Sequence, residues 1–142
     1  MAAYVKYQQF VEDIAKKVHN LNTDTLRIAL TNTAPNVSTH KVLADITEIG
    51  PGNGYAAGGN AATFTSGAQT TGTYKLVLAD VTFTASGGNM NAFQYAVLYN
   101  ATPTSPLKPL ICYFDYGTSI IITNGNSFTV DLDQTNGVFT FV

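Results

Sequence analysis

The sequence predicts a mainly β protein: an antiparallel β-sandwich or jelly roll of about 8–10 short strands with one N-terminal amphipathic α-helix. Three observations carry this. Beyond Asn22, Thr, Val, Ile, Tyr and Phe dominate, and turn residues interrupt them at short intervals. Before Asn22, apolar residues recur at spacings of three and four, with no Gly or Pro between them. No helical period appears after residue 22. The expected organisation is a helix within residues 1–22 and a β-sandwich over 23–142, both in one domain.

The helix is expected from residue 3 to about residue 19. Tyr4, Tyr7, Val11, Ile14, Val18 and Leu21 then share one stripe, while Lys6, Gln9, Glu12, Asp13, Lys16 and Lys17 mostly take other faces. Asn20 and Asn22 suit its terminus. The stripe either packs on the domain's own sheet or docks on a neighbouring subunit. It is too short for a free-standing coiled coil.

The strands follow in order. Residues 25–30 alternate Leu26, Ile28 and Leu30 against Thr25, Arg27 and Ala29. Residues 41–46 form a short second candidate, 50–60 a long glycine-rich loop that is mobile or ordered by a partner, and 62–65 a brief strand. Over 73–85 the apolar phase shifts from Tyr74, Leu76 and Leu78 to Val81, Phe83 and Ala85. Side chains alternate faces residue by residue, so a bulge or corner is required near Ala79 and Asp80, where the chain leaves one sheet for another. After a turn at Gly87-Gly88-Asn89, residues 92–99 place Phe93, Tyr95, Val97 and Tyr99 on one face. Residues 110–114 are apolar on both faces and read as a central strand. Residues 119–123 and 127–132 flank Asn124-Gly125, which predicts a hairpin with a type I′ turn and with Phe128, Val130 and Leu132 inward. Asn136-Gly137 repeats that signal before the last strand.

The 142 residues suit one domain, and the unusual feature is charge. Only 11% of residues are Asp, Glu, Lys or Arg, against about 25% in ordinary soluble domains. Seven basic and nine acidic residues give a net charge of −2, so no Lys/Arg face exists to neutralise nucleic-acid phosphates or to hold an anionic membrane surface. A 45% hydrophobic fraction, with eight Tyr and eight Phe, excludes disorder. There is no apolar run of membrane-spanning length, and the first ten residues lack a signal peptide's basic and apolar regions. The expectation is synthesis in the cytoplasm without export by the usual route, which also argues against an outer-membrane barrel.

The search for chemistry nominates no catalytic, cofactor-binding or metal-ligating residue. Cys112 sits between Ile111 and Tyr113 and reads as a buried apolar side chain. His19 and His40 have no ligand-spaced companions and read as solvated or capping residues. Gly52-Asn53-Gly54 opens like a dinucleotide fingerprint but lacks the third glycine and a following helix. Asp131-Leu132-Asp133 opens like a calcium loop, but its glycine comes one position late and Val142 stands where a bidentate Glu belongs. The remaining candidates are protein-contact residues: Tyr4, Tyr7, Val11 and Ile14 on the stripe, Gly52, Asn53, Gly54 and Tyr55 in the loop, and the exposed edge of the last strand. Tyr55, Tyr113 and Tyr116 are candidate sugar-stacking rings.

Several blocks resemble a family of small virion structural proteins of tailed bacteriophages. They include residues 10–15, 18–21, 24–35, 42–49, Gly54-Tyr55, 72–80, 83–88, 95–100 with Pro103, and 128–131. The resemblance spans nearly the whole chain. It implies a non-enzymatic head-associated component located in the virion, of the capsid decoration (cement) type, with the major capsid protein as partner and no cofactor. Copies are expected to associate as dimers or trimers. The alternatives are a tail or connector component of the virion and a carbohydrate-binding or adhesin module.

Overall fold

The computed structural model describes residues 2–142. Among the described residues ten strands form: β1 (Ala3–Lys6), β2 (Leu26–Thr31), β3 (Asn60–Ala62), β4 (Phe64–Thr70), β5 (Thr73–Leu78), β6 (Val81–Thr84), β7 (Phe93–Asn100), β8 (Leu110–Ile120), β9 (Ser127–Val130) and β10 (Phe139–Phe141). One α-helix, α1, spans Gln8–Ala15. All pairings are antiparallel. A five-stranded sheet runs β1-β8-β7-β2-β3, opposite a three-stranded sheet β10-β5-β4 and a two-stranded sheet β6-β9.

The main core lies between these layers. Leu26, Ile28 and Leu30 of β2 and Ala96 and Leu98 of β7 meet Leu76 and Leu78 of β5, Phe83 of β6, Val130 of β9 and Phe139 of β10. The opposite face of the large sheet is buried as well: Ala29, Val97, Tyr99 and Leu110 pack against Tyr7, Leu43 and Ile46. Burial on both faces explains the near-continuous apolar runs of β7 and early β8. The break expected at Ala79 and Asp80 is present. β5 belongs to the three-stranded sheet, β6 to the two-stranded one, and the Asp80 carboxylate accepts the Leu132 N–H at 2.9 Å across the corner. Phe128 is half-buried, while Val130 and Leu132 are buried, so all three point inward as expected.

Five local expectations are corrected. The helix is eight residues long, not the span from residue 3 to 19, because Ala3–Lys6 pairs with β8 as an edge strand. The long-range ladder overrides the local apolar spacing. Residues 41–46 are not a strand: the Asp45 carboxylate accepts the Lys41 and Val42 N–H groups at 2.8 and 3.1 Å and folds Leu43–Asp45 into a 3-10 turn. Phe93 does not share a face with Val97 and Tyr99. An irregularity between Phe93 and Tyr95 turns it into the main core, whereas Val97 and Tyr99 face the other side. The hairpin across Asn124-Gly125 does not form either, since β9 pairs with β6. Of the two central residues only Gly125 has positive φ (85°), the pattern of a type II turn. Such a turn does not match the twist of two flanking strands, whereas type I′ does. Likewise β10 pairs with β5 rather than with β9.

Candidate functional site

The chain has two dissimilar ends, marked by the two ends of β7. Beyond Phe93 lie three loops, residues 50–57, 85–91 and 121–127, that contain no charged side chain. They are rich in Asn and Gly, whose short side chains favour turns and reach nearby backbone groups. Here that reach crosses from loop to loop. Asn53 Nδ2 donates to the Asn89 carbonyl at 2.8 Å, and the Asn89 Oδ1 accepts the Asn124 N–H at 3.0 Å. Asn91 Nδ2 donates to the Gly50 carbonyl at 3.1 Å, and the Ser86 N–H donates to the Asn53 carbonyl at 3.1 Å. The three loops therefore form one surface, with Ile121 58% exposed within it.

The glycine-rich loop is anchored rather than mobile. Tyr55 is buried, and its hydroxyl donates to Glu48 Oε2 at 2.6 Å while accepting the Leu30 N–H at 3.1 Å. The same Glu48 oxygen accepts the Gly58 N–H at 2.8 Å, and the Gly58 carbonyl accepts Tyr99 O–H at 2.6 Å and Arg27 Nε–H at 3.2 Å. Burial, followed by the bond to Glu48, pushes the Tyr55 phenol well above its ordinary range, so it stays a protonated donor. Backbone approach is close: a Cβ at Gly59 (φ 69°) would sit 1.7 Å from the Ile28 carbonyl oxygen, and one at Gly54 (φ 99°) 2.0 Å from that of Thr84. Gly52, Asn53 and Gly54 remain exposed on the crest.

At the other end, the stripe expected on the helix is divided among three settings. Tyr4 is 39% exposed on β1 and packs against Phe114, with ring centroids 6.0 Å apart. Tyr7 precedes the helix, fully buried in the smaller cluster, and Val11 points outward at 54% exposure. Ile14 is half-buried. The buried face of α1 is instead Phe10 and Asp13. The structure thus does not gather Tyr4, Tyr7, Val11 and Ile14 into one docking face.

Both histidines carry local structure. His40 Nδ1 accepts the Asn36 N–H at 3.1 Å, a capping role. His19, expected in a solvated or capping role, is buried. Asn100 Nδ2 lies 3.0 Å from its Nδ1 and 2.6 Å from Asp24 Oδ2. An amide N–H₂ only donates, so Nδ1 accepts and the ring is the neutral Nε2–H tautomer. Burial lowers the His19 pKa, with Asp13 and Asp24 opposing. Cys112 is fully buried, and burial holds its thiol protonated.

Tyr55, as a buried residue, is withdrawn as a sugar-stacking ring. Tyr113 packs against Tyr7 and Tyr95, and Tyr116 packs edge-on to Phe93 and Phe128. The last strand does lie at a sheet edge. Among the described residues, no group of three or more His, Cys, Asp or Glu side chains could hold a metal ion. No helix among them is long and apolar enough to cross a membrane. Sequence reasoning missed the asparagine ties. Their signal was the coincidence of Asn-Gly density with missing charge in three separate segments. The chain matches no family model, no curated protein and no solved structure.

Proposed function

We propose that this is a non-enzymatic bacteriophage virion structural protein: a capsid decoration (cement) protein that meets the outer shell through its charge-free loop end. The observation that carries the reading is that surface, three uncharged loops tied together by Asn53, Asn89, Asn91 and Asn124. Interface cores are depleted of charge, because every charge buried there must be desolvated. Loops already ordered before contact lose little further conformational freedom on docking. A protein that binds only the assembled shell stabilises it by mass action across many equivalent sites. The sequence resemblance to small virion proteins supports the same reading, with the major capsid protein as the partner.

Particles with and without the protein test it by thermal and low-salt disruption. Particles lacking it should open at lower temperature, and Asn53→Asp, which places a charge on the loop crest, should reduce occupancy while the free protein stays folded. Equal robustness of particles without it overturns the reading. So does a small copy number confined to the tail, the outcome a tail or connector component would give.

A further inference from the structure

A cleft of about 310 Å³ lies on the helix side, lined by Ile14, Lys17, His19, Asn20, Leu21, Asn22, Tyr74 and Phe141. Two features set it apart. Its wall is aromatic: Tyr74 and Phe141 stack with centroids 5.9 Å apart and planes inclined by 24°, and Phe141 stacks in turn on Phe10 at 6.1 Å. Both Tyr74 and Phe141 are half-exposed. Its polar rim is the second feature, because exposed amides and a lysine ammonium border the wall. Asn22 Oδ1 accepts the Tyr74 hydroxyl at 3.3 Å, and Asn20 Oδ1 accepts the Asn22 N–H at 3.3 Å. The Asn20, Asn22 and Lys17 side chains are exposed and carry N–H donors at the rim. His19, 8% exposed, has no partner for its Nε2.

Two backbone positions shape the cleft. A Cβ at Gly67 of β4 would lie 2.3 Å from the Tyr74 hydroxyl oxygen and 2.7 Å from Asn22 Oδ1, so a side chain there would displace the Tyr74–Asn22 pair. Lys17 holds a left-handed backbone (φ 63°), an uncommon conformation for a non-glycine residue. No carboxylate lines the cleft, although acidic residues outnumber basic ones in the chain. Asp24, beside it, is spent on the Asn20 N–H at 2.8 Å and on Asn100.

An aromatic wall takes the apolar C–H face of a pyranose ring. A rim of amide donors with one cation takes hydroxyl and carboxylate oxygens, and charge-assisted bonds favour the carboxylate. We propose that this cleft binds an acidic, uronate-type saccharide, with Tyr74 and Phe141 as the stacking wall and Lys17, Asn20 and Asn22 as the donors. The site is remote from the loops assigned to the capsid, so the two proposals stand or fall separately.

The test is a titration of the full chain, followed by amide chemical shifts, with trigalacturonate and with maltotriose as the neutral control. Trigalacturonate should give saturable shifts confined to residues 14–22, Gly67, Tyr74 and Phe141. Lys17→Gly removes the cation at a backbone angle glycine adopts freely, and it should weaken binding about tenfold, the effect of one lost charge-assisted bond. Tyr74→Leu keeps apolar bulk without the ring and should abolish binding. Absence of saturable shifts, shifts elsewhere on the chain, equal affinity for maltotriose, or unchanged affinity in Lys17→Gly would each overturn the proposal.

Discussion

At the loop end, side-chain amides reach carbonyl and N–H groups of the neighbouring loop, and the Tyr55 hydroxyl donates to Glu48. At the helix end, the Tyr7 hydroxyl, Asp13 Oδ2 and His19 Nε2 are buried without a partner. A buried polar atom without a protein partner costs about 1–3 kcal/mol when nothing else bonds it. The loop end ties its crests together with polar bonds between short neutral groups, with the Glu48 carboxylate anchoring Tyr55 and Gly58 beneath them. The helix end relies on aromatic burial to hold polar groups that are poorly matched, and some of them titrate. One end is therefore suited to a constant contact and the other to response.

Removing the aromatic anchor should break this contrast most severely. Phe10 is fully buried, with its ring 5.1 Å from His19, 5.4 Å from Phe139 and 6.1 Å from Phe141. Phe10→Ala should cost about 3–5 kcal/mol in urea denaturation, the usual range for a buried Phe. Hydrogen exchange should rise first in residues 8–24, while the Tyr55 and Gly58 amides stay protected. Simultaneous loss of protection at both ends would mean that they are not separable units.

How far the sequence carried this picture depends on the range of the forces involved. The β-rich body and the corner at Ala79-Asp80 were legible, because alternation is written in adjacent residues. The short helix was not. Tyr4 and Tyr7 fit a helical spacing, yet Tyr4 belongs to a strand held by Phe114, some 110 positions on, and no local pattern encodes that partner. Ser127–Val130 chose β6 over its neighbour in sequence for the same reason. In the candidate contact site, the crest Gly52-Asn53-Gly54 was legible as a loop. The inward turn of Tyr55 was not, since it depends on a carboxylate seven positions earlier and on the Leu30 amide. The cleft beside Tyr74 joins the N-terminal, middle and C-terminal parts of the chain, and only the fold brings them together.

Acid should sharpen the contrast next. The folded His19 has a lowered pKa, so the unfolded chain binds that proton more readily. Stability is fully present above the unfolded value of about 6.5 and falls as the pH drops through it toward the folded value. Protonation would also place an N–H on Nδ1 against the donating Asn100 amide. Melting temperature should therefore decline from pH 7.5 to pH 5, with loss of order beginning at residues 16–24. His19→Gln, which keeps an acceptor but does not titrate, should flatten that decline. An equal decline in the variant would assign the acid sensitivity to other groups.

The smallest effect concerns the hydroxyl oxygens of two tyrosines in one cluster. Tyr7 and Tyr99 are both buried, both in the smaller apolar cluster, and differ in whether the hydroxyl has a partner. Tyr99 donates to the Gly58 carbonyl at 2.6 Å, so Tyr99→Phe leaves an acceptor of the anchored loop short of a bond and should cost about 1 kcal/mol. Tyr7→Phe deletes a hydroxyl that has lost water and gained nothing, so it should be neutral or stabilise by up to about 1 kcal/mol. Urea midpoints of the two variants, measured side by side, decide the matter. If Tyr7→Phe proves the more damaging, the Tyr7 hydroxyl is better satisfied than its geometry indicates, and the mismatch assigned to the helix end shrinks.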